Sequence, residues 1–259
     1  MPPRGLDPRG LILVDKPAGP SSFQVIAAIR QRTRARTGHA GTLDPFASGL
    51  LLVLSGAATR LAPWLVGLGK RYATDVDLAA RTSTGDPEGD VVEEHDPPSE
   101  GELEQRLAAL RGEVELPVPA ASAVKIGGER AYRLHRRGHA VEMPLRRSRV
   151  DTLDLIAYRD GVATLDLRVG SGTYVRSIAD ALGGHCRSLR RTEVGPFSVA
   201  QADEARMLPP AEALPFLPAV EVTAEEAAAI RTGRRQATPD VRTLCAGELV
   251  AVGGAVLPA

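Results

Sequence analysis

Two alternating runs constrain the fold most: VDTLDLIAY (150–158) and VATLDLRVG (162–170), joined by Arg159-Asp160-Gly161. Apolar and polar residues follow the two-residue period of a pleated strand, and Asp-Gly supplies the backbone angles of a tight hairpin turn. Strands tied this closely pair antiparallel, and a hairpin is stable only when more strands or helices cover its apolar face. Neighbouring segments supply them. KRYATDVDLAARTST (70–84) alternates as a strand, TGDPEGD (84–90) turns, and VVEEHD (91–96) pairs back. GLILVDK (10–16) and LLLVLSG (50–56) read as short buried strands, and VGPFSVAQ (194–201) as another. Helices are predicted over SSFQVIAAIRQRT (21–33), ATRLAPWLVGLG (58–69), SEGELEQRLAALRG (99–112) and TYVRSIADALGG (173–184), the third opening on a capping box of Ser99 and Glu102. The composition changes at the Pro-rich stretch MLPPAEALPFLP (207–218), which predicts a domain boundary. Residues 1–207 therefore read as an α+β domain with a mixed, largely antiparallel sheet and flanking helices. Residues 208–259 read as a small β-rich module, with a helix at 223–233 and a hairpin at 248–259.

Of 259 residues, 43% are hydrophobic and 25% charged, the make-up of an ordinary globular chain. No apolar run approaches the roughly 20 residues that cross a bilayer. The short apolar segment near the N-terminus is broken by Asp15 and does not resemble a signal peptide. Cys186 and Cys245 form no CxxC pair, which fits a reducing cytoplasm and argues against a thiolate metal site. Net charge is zero, yet 29 of the 32 basic residues are Arg. They gather in RQRTRAR (30–36), RLHRRGH (133–139), LRRSR (145–149) and RSLRR (187–191). Guanidinium groups suit phosphates, so such clusters on a neutral chain mark either a polyanion-binding face or solvated helix faces.

Few residues qualify for chemistry. VGSGTYVRS (169–177) is a glycine turn between strand and helix, but Val175 occupies the third glycine position of a dinucleotide fingerprint and no P-loop lysine follows. It reads as a turn presenting Tyr174 and Arg176. His135 and His139 are spaced i, i+4 without an HExxH pattern and read as exposed helix residues, not zinc ligands. Asp75, Asp77, Asp86, Glu88 and Asp90 lack the spacing of a calcium loop and read as turn and strand-face residues. Asp44 remains, in GHAGTLDPFASGLLLV (38–53). Local propensity makes it an Asx-turn residue or the cap of a helix starting at Pro45. A glycine-rich loop beside His39 is also where a functional carboxylate is held, and a nearby arginine would keep it ionised against burial.

Six blocks then occur in a family-specific order: LILVDKPAGPSSFQVIAAIR, GHAGTLDPFASGLLLV, KRYATDVDLAARTSTGDPEGDV, ASAVKIGGERAYRLHRRG, VGSGTYVRSIADALG and LRRTEVGPF. Across about residues 10–200 the chain closely resembles the bacterial tRNA pseudouridine-55 synthases. The resemblance implies a cofactor-free, metal-free cytoplasmic isomerase that detaches one T-loop uracil from N1, turns it and rejoins it through C5. By the same matching, Asp44 is the catalytic aspartate and Arg176 the arginine that pairs with it. Tyr72 receives the flipped base, Tyr174 and Leu189 line its pocket, and His39 helps to hold the RNA loop. The segment 120–147 resembles the family's RNA-gripping insertion and the tail from 208 a short PUA-like module. The implied partner is tRNA, through the T loop and stem and, by the C-terminal module, the acceptor stem; no membrane is implied, and a monomer suffices.

Overall fold

The computed structural model describes residues 9–122, 124–126, 128–131, 137, 143–253 and 255–257. In chain order the strands are β1 (Gly10–Lys16), β2 (Thr37–His39), β3 (Ser48–Ser55), β4 (Lys70–Asp77), β5 (Ala80–Thr82), β6 (Val91–Glu94), β7 (Gly112–Pro117), β8 (Lys125–Ile126) and β9 (Glu129–Arg130). They continue with β10 (Leu145–Arg159), β11 (Val162–Val169), β12 (His185–Val194), β13 (Phe197–Ser198), β14 (Ala219–Glu221), β15 (Arg242–Cys245), β16 (Glu248–Val252) and β17 (Ala255–Val256). The α-helices are α1 (Ser22–Thr33), α2 (Ala62–Val66), α3 (Glu100–Ala109), α4 (Val175–Ala181) and α5 (Ala224–Arg231). Backbone contacts divide the chain into two compact units, one of residues 1–45, 49–67 and 195–259, the other of 46–48 and 68–194.

In the first unit β3 pairs antiparallel with β1, from Gly10↔Ser55 to Lys16↔Gly49, and with the short β2. Leu11 to Val14 and Leu50 to Leu54 are buried almost completely, the reason these runs are apolar at consecutive positions. Ser21 caps α1 in a capping box with Gln24, and Ile26 and Ile29 bury one face. The helix predicted over 58–69 is a 3₁₀ turn, Gly56–Leu61, running into α2. The Pro-rich segment is packed: Leu208 and Leu11 exchange backbone hydrogen bonds of 2.8 and 2.9 Å, and Ala213 and Leu214 are fully buried. Beyond it, β14–β15–β16–β17 form a sheet against α5 over a small core of Ala227, Ile230, Val250 and Ala251. The predicted helix and terminal hairpin are both present there.

The second unit is built on the sheet β12–β4–β11–β10–β7, antiparallel throughout. The predicted hairpin is β10–β11, turned by Asp160 (φ 50°) and Gly161 (φ 76°), the left-handed pair such a turn needs. Helix α3 is capped by Ser99 and Glu102 as expected, buries Leu103 and Leu107, and is followed by Arg111, whose side chain donates to Leu153 O of β10. Strand β12 departs from expectation. The sequence predicts a strand only from Val194, whereas that residue ends a ten-residue strand. Arg187, Arg190 and Arg191 within it, with register shifts between Cys186 and Ser188 and between Arg191 and Glu193, break the alternation that marks a strand. Within the expected insertion 120–147, residues 123, 127, 132–136 and 138–142 lie outside the described residues, and His135 and His139 with them.

Candidate active site

The first unit carries Asp44 and His39. No helix begins at Pro45, so Asp44 is not a helix cap; it stands half-buried in a loop between β2 and β3. Gly41 (φ 95°) bends that loop in the left-handed region, which other residues enter only with strain, and Gly49 (φ 104°) does the same at the start of β3. Three residues from the preceding segment pin it. Lys16 is fully buried, and its ammonium donates to the carbonyls of Pro17 (2.9 Å), Pro20 (2.8 Å) and Pro45 (3.2 Å). Gly19 N donates to Pro45 O at 2.8 Å. Ser22 Oγ donates to Leu43 O at 2.8 Å and accepts from Leu43 N at 2.9 Å. Both chain neighbours of Asp44 are thus hydrogen-bonded to the β1–α1 segment, a support that fixes the backbone from which the carboxylate projects. His39 ends β2 opposite Val53 of β3.

The second unit carries Tyr72, Leu189, Tyr174 and Arg176. Tyr72 faces Leu167 of β11 and Arg191 of β12, and Leu189 pairs with Thr74 two residues along β4. The two-residue strand period therefore puts Tyr72, Leu189 and the buried Arg191 on one face of the sheet. Lys70 lies on this face as well; burial, aided by the charge of Arg191, lowers its pKa to about 8. Tyr174 occupies the N-cap position of α4, two residues before Arg176. Arg176 is only 3% exposed, donating to Thr84 O (2.8 Å) and Ala121 O (3.0 Å) and lying 3.3 Å from the Asp86 carboxylate.

Sequence reasoning missed Asp86 as a supporting residue. It is 4% exposed, and its Oδ1 accepts from Thr84 Oγ1 at 2.5 Å and Glu88 N at 3.1 Å. The turn TGDPEGD thus holds a carboxylate against Arg176 as well as reversing the chain. The signal was an Asp in a turn spaced to bond its own backbone two residues on. On β4, Asp75 accepts from Thr164 Oγ1 and Ser188 Oγ, and Asp77 accepts from Ala79 N. Among the described residues no group of three or more His, Cys, Asp or Glu side chains is placed to hold a metal ion.

Comparison with known proteins gives these residues a family. Residues 29–175 match the model of the TruB family pseudouridylate synthase, N-terminal domain. The chain belongs to the TruB family of pseudouridylate synthases. It is thus an isomerase that forms pseudouridine. Among its relatives, tRNA pseudouridine synthase B of Leifsonia xyli subsp. xyli is 40% identical over 250 residues, 90% of this chain and 82% of that protein. The protein of that name from Gluconacetobacter diazotrophicus is 40% identical over 255 residues, 89% of this chain and 83% of the other. A chain in the crystal structure of a Cbf5–Nop10–Gar1 complex superposes with a TM-score of 0.69 at 25% identity, covering 94% of this chain and 77% of that one. The TruB match takes in His39, Asp44, Tyr72 and Tyr174 and stops one residue before Arg176; Leu189 lies beyond it.

No helix among the described residues is long and apolar enough to cross a membrane.

Proposed function

We propose that this enzyme isomerises uridine 55 in the T loop of tRNA to pseudouridine, with Asp44 as the catalytic carboxylate. The relatives named tRNA pseudouridine synthase B support the substrate. The observation that carries the role of Asp44 is the pinning of its loop by Lys16, Gly19 and Ser22, which suits a group that must meet a reacting atom in one geometry.

A base within a folded loop must leave its stack before the glycosidic bond is accessible, at a cost of a few kcal/mol. Tyr72 returns part of that cost, since stacking on an aromatic ring contributes about 1–3 kcal/mol per base. Leu189, beside it on the sheet face, and Tyr174 exclude water from the extruded uracil. Asp44 then acts on the nucleoside with no metal required, as carboxylate nucleophiles do. Arg176, seated on Asp86 and two backbone carbonyls, contributes a fixed positive charge to the reaction. His39 and the Arg-rich segments bind the loop and its phosphates, a salt-sensitive contribution. The module 208–259 extends the contact toward the acceptor stem, and the enzyme acts as a monomer.

Rejoining through C5 expels the C5 hydrogen. A tRNA transcript bearing tritium at uridine C5 should release one label per tRNA, and none after uridine 55 is replaced by cytidine. Failure to release label from the intact transcript would refute the reading.

A further inference from the structure

The proposed function leaves Phe23 unexplained. At 78% exposure it is the most solvent-exposed of the large hydrophobic residues described, in a chain with only 3% aromatic residues. An apolar side chain of this size left in water forgoes about 1.5–3 kcal/mol of burial. It lies in the first turn of α1, directly after Ser22, whose hydroxyl holds both the N–H and the carbonyl of Leu43. Phe23 and Asp44 are therefore the chain neighbours of two residues joined by a pair of hydrogen bonds. Seven residues on, on the same side of the helix and about 10 Å along its axis, comes Arg30, also exposed. Arg34 and Arg36 follow, exposed as well, and no acidic residue occurs between Asp15 and Asp44. Arg32 is the member of this group that meets an acid, Glu204, at 3.7 Å.

We infer that Phe23 is a second base-stacking platform, taking an unpaired nucleobase of the loop that holds the target uridine, while Arg30 and Arg34 take phosphates of the same strand. The inference rests on the proposed action on tRNA and adds an RNA-contacting residue on the helix that anchors the Asp44 loop. An aromatic ring stacks on any base, and the adjacent guanidiniums supply charge complementary to a polyanion. A nucleobase beside its own phosphate is the partner that uses both.

The test measures kcat and KM for tritium release from unmodified tRNA and from an isolated T-arm hairpin. Phe23→Ala should raise KM about five-fold or more on both substrates, with kcat retained. Phe23→Tyr should restore the parent KM, whereas Phe23→Leu, apolar but without a π face, should behave like Phe23→Ala. Arg30→Gln should lower the salt dependence of KM. A KM for Phe23→Ala within two-fold of the parent would overturn the inference, as would full rescue by Leu or an effect confined to full-length tRNA. A change in sedimentation with KM unaltered would assign Phe23 to self-association and overturn it too. Absence of release by the parent enzyme would instead refute the tRNA reading, so the two failures are distinguishable.

Discussion

At the scale of single residues, Asp44 and Arg176 are each held through buried neighbours. Lys16 is a buried cation whose three carbonyl acceptors include Pro45, the residue after the carboxylate. Lys16→Met would keep the volume but remove the ammonium donor from all three carbonyls, Pro45 O keeping its bond from Gly19 N. It should destabilise the protein by about 2–4 kcal/mol in chemical denaturation and lower turnover with it. Ser22→Ala should do the same on a smaller scale. Asp86 supports Arg176 from a turn, with both side chains almost wholly buried. Asp86→Asn keeps the shape and removes the charge. Single-turnover kinetics should show a rate lowered about a hundredfold, since small misplacements of a positioning group carry costs of that order. Binding of tRNA should stay within a few-fold, and a rate within two-fold of the parent would mean that Asp86 does not orient Arg176.

At the scale of elements, strand β4 makes a pH prediction through Lys70. Its folded pKa of about 8 lies below the ordinary 10.5, because burial and the charge of Arg191 disfavour the ammonium. Between those values the unfolded chain binds more protons at this site, so the contribution of Lys70 to stability rises with pH from about 8 to 10. Denaturation midpoints measured from pH 7 to 10 should show that rise in the parent and lose it in Lys70→Met. Elements were unevenly legible in the sequence. The β10–β11 hairpin, the capped helix α3 and strand β1 could be read because one physical signal dominates each: alternation with Asp-Gly, a capping box, a continuous buried run. Strand β12 could not. Arg190 and Arg191 pair with Ala73 and Tyr72 of β4, far away in sequence, and two register shifts erase the period of the strand. The RSLRR cluster was accordingly assigned to a polyanion-binding or solvated face, whereas Arg191 is buried beside Tyr72 and Leu189.

At the scale of the whole molecule, the Asp44 motif was legible as a constellation before it was legible as geometry. Its composition alone was compatible with an ordinary turn, and the ordered blocks along the chain pointed to a pseudouridine synthase. What the sequence did not disclose is how the loop is held, because Lys16 and Ser22 look like a strand end and a helix start. The Pro-rich stretch 207–218 reads as a domain boundary from its proline density; what that density does not disclose is its packing, with Leu208 paired to Leu11 and Leu214 buried. Whether Asp44 performs the isomerisation is tested most directly by tritium release by Asp44→Asn from tRNA labelled at uridine C5. Asp44→Asn should show no detectable release while its tRNA affinity stays within a few-fold of the parent; substantial release by this variant would mean that another group performs the isomerisation.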